Sequence, residues 1–129
     1  MEFPEDLRYT KDHEWVRTEG DGRVRIGITD YAQDSLGDVV YVDVPAAGTA
    51  VTRDRPLGEV ESTKSVSEIF APLSGTVVES NAALGDRPEL VNGDPYGEGW
   101  IAVLELAPGE DPSSLMDAAA YRALVGGDA

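Results

Sequence analysis

Cysteine is absent from the chain, which removes disulfides, thiolate metal sites and cysteine nucleophiles together. The lack suits a reducing compartment. Histidine is nearly absent as well: any Ser-His-Asp triad would have to use His13, and no Gly-x-Ser-x-Gly elbow accompanies it. Walker and Rossmann glycine loops are missing. Carboxylates are plentiful, yet their spacing singles out no hydrolytic pair and forms no calcium loop, so no metal site is expected. Base is scarce: 10 Lys and Arg against 25 Asp and Glu give a formal net charge of −15. Such a chain is not expected to bind nucleic acid or anionic membranes, which call for clustered cations. Long apolar runs are missing too, and Met1-Glu2-Phe3-Pro4-Glu5-Asp6 carries acid where a secretory signal carries base. The chain reads as soluble and cytoplasmic, and no classical enzyme signature stands out in it. Its acidity is either a plain aid to solubility or a means of docking onto basic partner surfaces.

What is present is a run of short strands punctuated by Gly, Pro and Asp, in a length of 129 residues that fits one domain spanning 1–129. Tyr9–Arg17 is expected as a first strand and Arg23–Ile28, with period-two alternation, as its hairpin partner across Glu19-Gly20-Asp21-Gly22. Thr29 and Asp30 can cap a short helix over Tyr31–Leu36 that Gly37 closes. Val39–Val44 is strand-like up to Pro45, and Leu57–Glu61 and Ser65–Phe70 are strands meeting around Ser62-Thr63-Lys64. Thr76–Glu79 starts another strand. Residues 81–99 read as loop with at most one helical turn, and Trp100–Leu106 as a final strand. Beyond Pro108-Gly109 the pattern turns helical: Ser113 or Ser114 can cap a helix whose apolar stripe is Leu115, Met116, Ala119, Leu124 and Val125, ended by Gly126-Gly127. The expected class is mainly β, many short strands with an N-terminal hairpin, one short helix and a C-terminal helix.

A faint repeat runs through this pattern. Gly37-Asp38-Val39-Val40 leads through Gly48 to Leu57–Glu61, and Gly75-Thr76-Val77-Val78 leads through Gly85 to Ile101–Glu105. Either two similar sheet halves flank residues 62–74, or Val simply recurs because strands favour it.

Two short features could carry chemistry. Asp34-Ser35-Leu36 is the tripeptide on which acyl carriers hold phosphopantetheine, but those are helical bundles, and here Gly37 cuts the helix short. The other is Lys64. Eight of the ten basic residues are Arg, and Lys occurs only at 11 and 64. Only the Lys amine can be acylated, and a Lys on a tight turn between two strands is accessible and rigidly presented. Spacing alone leaves this open against an ordinary solvated turn Lys.

The segment around Lys64 resembles the lipoyl and biotinyl carriers, in which a hairpin Lys is followed by a strand and a Pro-x-Ser-Gly turn. Biotin carriers flank that Lys with Met, whereas Thr63 and Ser65 stand here, which favours lipoate. Glu61-Ser62-Thr63-Lys64 with Ile69-Phe70-Ala71-Pro72-Leu73-Ser74-Gly75 is similar to the glycine cleavage H-protein family in particular. So are Tyr9 with His13-Glu14-Trp15-Val16, Gly27-Ile28-Thr29-Asp30-Tyr31-Ala32-Gln33, Leu36-Gly37-Asp38-Val39-Val40, Glu89-Leu90-Val91-Asn92 with Pro95-Tyr96 and Gly99-Trp100, and the stretch Leu115–Leu124. The resemblance implies a hybrid barrel-sandwich fold of two small sheets and a non-catalytic carrier with lipoate joined covalently to Lys64. It implies a shuttle for the aminomethyl group of glycine between a pyridoxal-phosphate glycine decarboxylase, a folate-dependent aminomethyltransferase and the flavin enzyme dihydrolipoamide dehydrogenase. A lipoate-attaching enzyme is a further implied partner, and the carrier is expected to be a monomer. In that family the loaded arm lies in a cleft where acid meets the cargo ammonium. Glu14 matches the cleft glutamate and Glu68 stands where Asp is common. His13 is expected to be a strand residue with a structural hydrogen bond.

Overall fold

Alternating apolar residues need a partner sheet, and in the computed structural model, which describes residues 1–126, they find it in two antiparallel sheets. The larger has six strands in the order β1-β2-β3-β9-β8-β5, and the smaller has three in the order β4-β6-β7. These are β1 (Arg8–Tyr9), β2 (Glu14–Gly20), β3 (Arg23–Ile28), β4 (Val39–Asp43), β5 (Ala50–Val51), β6 (Pro56–Ser62), β7 (Val66–Phe70), β8 (Gly75–Ser80) and β9 (Ala102–Leu106). Val16, Val24, Ile26, Val77 and Leu104 from the larger sheet and Val42, Val60 and Ile69 from the smaller share one buried core. The expected mainly-β barrel-sandwich class is what the chain adopts.

The expected first strand is two strands. Residues 10–13 reverse the chain, with His13 at a φ of 70°, so that Tyr9 pairs back onto Trp15 and Arg8 onto Val16. His13 is therefore a left-handed turn residue, a conformation that His tolerates better than most side chains. The hydrogen bond expected of it is present: Nδ1 lies 2.8 Å from the Tyr121 hydroxyl.

Helix α1 (Asp30–Leu36) starts and stops as its caps dictate, with Thr29 Oγ1 accepting from Ala32 N and Gly37 N donating to Gln33 O. The stretch 81–99 is richer than expected, folding into two short helices, α2 (Ala83–Asp86) and α3 (Leu90–Gly93). Buried Leu84 and Val91 explain them, since each short turn closes over one apolar anchor. The two-residue strand β5 was not expected either.

The C-terminal helix α4 (Ala118–Gly126) begins later than its sequence pattern suggests. Ser113 and Ser114 belong to a 3₁₀ turn (Pro112–Ser114) capped by Asp111, while Asp117 caps α4 through Ala120 N. Leu115 and Met116 precede the helix, and Met116 bridges to Tyr9. The face that packs is Ala118, Tyr121 and Val125, not Ala119 and Leu124; Gly126 is its last described residue, and Gly127 lies outside the described residues. Tyr121 is the anchor, its ring stacked on Tyr9 at 4.6 Å and 6°. No described helix is long and apolar enough to cross a membrane.

The repeat has a structural counterpart. β4 pairs with β6, β8 pairs with β9, and each first strand carries a bulge at the same place, between Val39 and Tyr41 and between Val77 and Glu79. The pairing sets Val60-Glu61-Ser62 against Ala102-Val103-Leu104, two residues away from the match drawn from sequence. An even shift keeps each side chain on its face, which is why the alternation alone could not locate it.

Gly27 tests how tightly the first hairpin is packed. It stands opposite Trp15, and a Cβ there would come within 2.6 Å of the buried indole. Gly27→Ala is expected to cost about 1–3 kcal/mol of stability, measured by urea unfolding, because the enclosed ring has nowhere to retreat. Unchanged stability would show that the indole can shift.

Candidate functional site

The turn between β6 and β7 is built on one buried serine. Ser62 Oγ accepts from the backbone N–H of Lys64 and of Ser65, both at 3.1 Å, and Ser62 N donates to Ser65 O at 2.8 Å. Thr63 N donates to Asp38 O at 3.1 Å, which ties the turn to the start of β4. That start is itself fixed: Asn92 Oδ1 accepts from Val39 N, while Asn92 Nδ2 donates to Gly37 O and to Gln33 Oε1. Thr63, Lys64 and Ser65 are all exposed on this pinned backbone. The Lys64 stem crosses Gly37, where a Cβ would stand 3.3 Å from Cε. With φ at +80°, Gly37 both closes α1 and leaves the stem its path.

Beside the hairpin lies a cleft of about 300 Å³. Ile28, Val60 and Ile69 contribute its apolar lining, Tyr31, Ala32, Ser35 and Leu36 of α1 another side, and Ser65 of the turn with Val66, Ser67 and Glu68 of β7 a third. Asp12, His13, Glu14 and Glu68 give it polar and acidic groups. β7 is an edge strand, hydrogen-bonded in its sheet only to β6. The two carboxylates singled out in the sequence thus line one cavity, next to the residue that follows Lys64. Ser35, considered above as a pantetheine serine, is a wall residue of the same cleft in a fold that is no helical bundle.

Glu14 and Glu68 differ in kind. Glu14 is 2% exposed, its Oε1 accepting from Thr10 Oγ1 at 2.6 Å and its Oε2 from Phe70 N at 3.1 Å. Burial pushes its carboxyl up to about 7, against the pull of those two donors, with Asp12 and Asp54 adding to the rise. Glu68 is exposed on β7 directly opposite Glu59. A buried carboxylate at neutrality can ionise readily when a cation arrives, while an exposed one supplies field.

Sequence reasoning missed the residues that hold the hairpin and the cleft wall. Ser62, Asn92 and Gly37 lay within the motifs quoted for the family, but nothing in their spacing announced a shared network. Tyr121 contacts both Thr29 Oγ1 and His13 Nδ1 at 2.8 Å, and His13 packs on Tyr31 at 4.7 Å, so α4 reaches the cleft wall through one hydroxyl. The lone aromatic of α4, Tyr121, was the one available signal. Among the described residues no cluster of His, Asp and Glu is placed to hold a metal.

Comparison with known proteins agrees with this geometry. A family profile described as glycine cleavage H-protein matches residues 7–127. The glycine cleavage system H protein of Anaeromyxobacter sp. (strain K) is 56% identical over 125 residues, 97% of each chain. That of Halorhodospira halophila is 52% identical over 124 residues, 96% of this chain and 95% of the relative. The crystal structure of a glycine cleavage system H protein from Mycobacterium marinum superposes with a TM-score of 0.86 at 41% identity, over 95% of this chain and 98% of that one.

The raised Glu14 carboxyl has a pH signature. A proton held more tightly in the folded chain favours folding most at low pH, and that benefit is lost as pH rises through the folded value. Relative to Glu14→Gln, stability is expected to fall by on the order of 3 kcal/mol as pH rises from 4.5 through about 7, measured by urea unfolding. A difference that stays flat across this window would mean that Glu14 titrates as an ordinary carboxylate.

Proposed function

The chain belongs to the glycine cleavage H-protein family, and from that membership we propose that Lys64 is the residue bearing its lipoyl group. Members of the family are lipoyl carriers and not catalysts, so this protein carries lipoate in glycine cleavage and works with the other components of that system. The observation that carries the assignment is the pinned hairpin: an exposed amine on a backbone fixed by Ser62 and Asp38, beside a cleft with an apolar side and an acidic one. Lys11, the other lysine, lines a different cavity.

When bound, the lipoyl ring supplies a dithiolane that takes up a carbon fragment with electrons and is regenerated by thiol–disulfide exchange. The chain's residues do the rest. Ser62 and Gly37 set the direction in which the Lys64 stem leaves. Ile28, Val60 and Ile69 offer apolar surface to the hydrocarbon part of the arm. Glu14 ionises against a cationic aminomethyl group and holds it away from water, and Glu68 adds negative field at the rim. Residues 1–129 act as one carrier domain, monomeric and cytoplasmic. It is loaded by a pyridoxal-phosphate glycine decarboxylase, unloaded by a folate-dependent aminomethyltransferase, reoxidised by dihydrolipoamide dehydrogenase and modified by a lipoate-attaching enzyme.

Mass spectrometry of protein isolated from its own cell is expected to place a lipoyl adduct on Lys64 and to find none in Lys64→Arg, which keeps the charge and loses the acylatable amine. An adduct confined to Lys11, or consistent absence of any, would overturn the assignment. In the loaded protein, Glu14→Ala is expected to shorten the lifetime of the aminomethyl cargo on the order of tenfold, the effect of one lost charge-assisted bond. An equal lifetime would remove Glu14 from the role.

A further inference from the structure

Five large apolar side chains stand exposed among the described residues, and three of them, Val40, Tyr41 and Val66, flank the Lys64 hairpin. Tyr41 faces Glu61, and Glu61 faces Val66, so the three form one row across β4, β6 and β7. This row is the last one to span all three strands before the turn that presents Lys64. Two inter-strand spacings, about 10 Å, separate Tyr41 from Val66. Val40 joins them because the bulge between Val39 and Tyr41 turns it outward, leaving it 49% exposed.

The repeat supplies an internal control. At the matching bulge in the other half, the equivalents of Val40 and Tyr41 are Val78, half-buried, and Glu79. The same backbone device thus exposes an aromatic and an aliphatic side chain only at the end that carries the lysine. Folding does not call for it, since the other bulge manages without.

The rim is acidic. Asp43 faces Glu59, and Glu59 faces Glu68, in a second row beside the first. Like charges placed directly opposite one another oppose sheet formation, and no ion pair among the described residues neutralises any of these three. Tyr41 and Val66 thus stand on either side of a central carboxylate, Glu61, with three more carboxylates in the row beside them, a pattern that complements a partner surface combining apolar sockets with Arg and Lys.

We propose that this outer face, centred on Tyr41 and Val66, is the seat of the enzyme that acylates Lys64. The inference rests on the assignment of Lys64 as the lipoyl site. It selects that occupant because of where the reacting atom lies. Enzymes that act on the far end of a long arm can reach it without covering the hairpin. The acylating enzyme must instead bring an activated acyl group to bonding distance of Nζ, and so must close over the adjoining strand pair. In that step Nζ attacks the carbonyl of an acyl adenylate, the C–N amide bond forms, and the C–O bond to phosphate breaks. AMP leaves with the bonding electrons, and the nitrogen passes from ammonium to amide by releasing two protons. Val66 lies on both the face and the cleft, so one side chain serves the enzyme first and the arm afterwards.

The test uses the full-length unmodified chain as substrate of a purified lipoate ligase with saturating lipoate and ATP. Tyr41→Ser combined with Val66→Thr is expected to raise KM for the carrier roughly tenfold while kcat stays within about twofold, as lost docking predicts. Leu124→Ser, an exposed apolar change elsewhere, is expected to leave both unchanged. Glu59→Lys, which keeps the apolar row, is expected to raise KM and flatten its dependence on salt. It decides the matter if the double variant fails to fold. Equal KM in wild type and in every variant that folds, with the adduct on Lys64, would overturn the docking face alone. No adduct on Lys64 of the wild type would overturn the lipoyl assignment and this face with it.

Discussion

A single carboxylate joins the two sheets where the cleft opens. Glu14 is the first residue of β2 in the six-stranded sheet, and its Oε2 accepts the backbone N–H of Phe70 in the three-stranded one. A buried acid is costly unless its lone pairs are met, and here Thr10 meets the other oxygen. The arrangement requires the chain to arrive at Glu14 from one direction only. That direction is set by the turn at residues 10–13, by the left-handed backbone of His13, and by the Tyr121 hydroxyl against the imidazole. The first turn of the chain, its last helix and the mouth of the cleft therefore stand or fall together.

From that constraint the molecule divides its tasks. The sheets and α4 give stiffness, so that a turn of three exposed residues can be held out without wandering. The hairpin network then needs little: one serine hydroxyl, one asparagine amide and one glycine. A carrier depends on such economy, since every partner must approach the same few atoms. With the arm on Lys64 as proposed, rigid support close to the lysine and free travel beyond it are compatible, because the freedom belongs to the arm and not to the backbone.

Much of this was legible in the residues. Period-two alternation located most of the strands, Thr29 and Gly37 bounded α1, and the scarcity of lysine drew attention to Lys64. What could not be read has physical causes. The stretch Tyr9–Arg17 looks continuous because propensity is local, while its break comes from Tyr9 packing under Tyr121 more than a hundred residues away. Helix α4 was placed too early because Leu115 and Met116 are apolar for a different reason, as Met116 bridges to β1 and Leu115 packs against the core. The helices in 81–99 were hidden because single anchors such as Leu84 and Val91 have no period. At the site, Glu14 was found by resemblance, but its attachment to a backbone amide of another sheet leaves no trace in sequence at all.

The open side of β7 has a consequence of another kind. A strand with one unsatisfied margin is a template on which a second chain can nucleate a shared sheet, and a carrier whose cleft must stay accessible cannot bury that margin. Here the would-be intruder meets Glu14 already occupying the Phe70 amide and Glu68 projecting beside it, within a chain of strong negative charge. The acids proposed to meet the cargo thus also place charge on this open margin, where it opposes the addition of a further acidic strand.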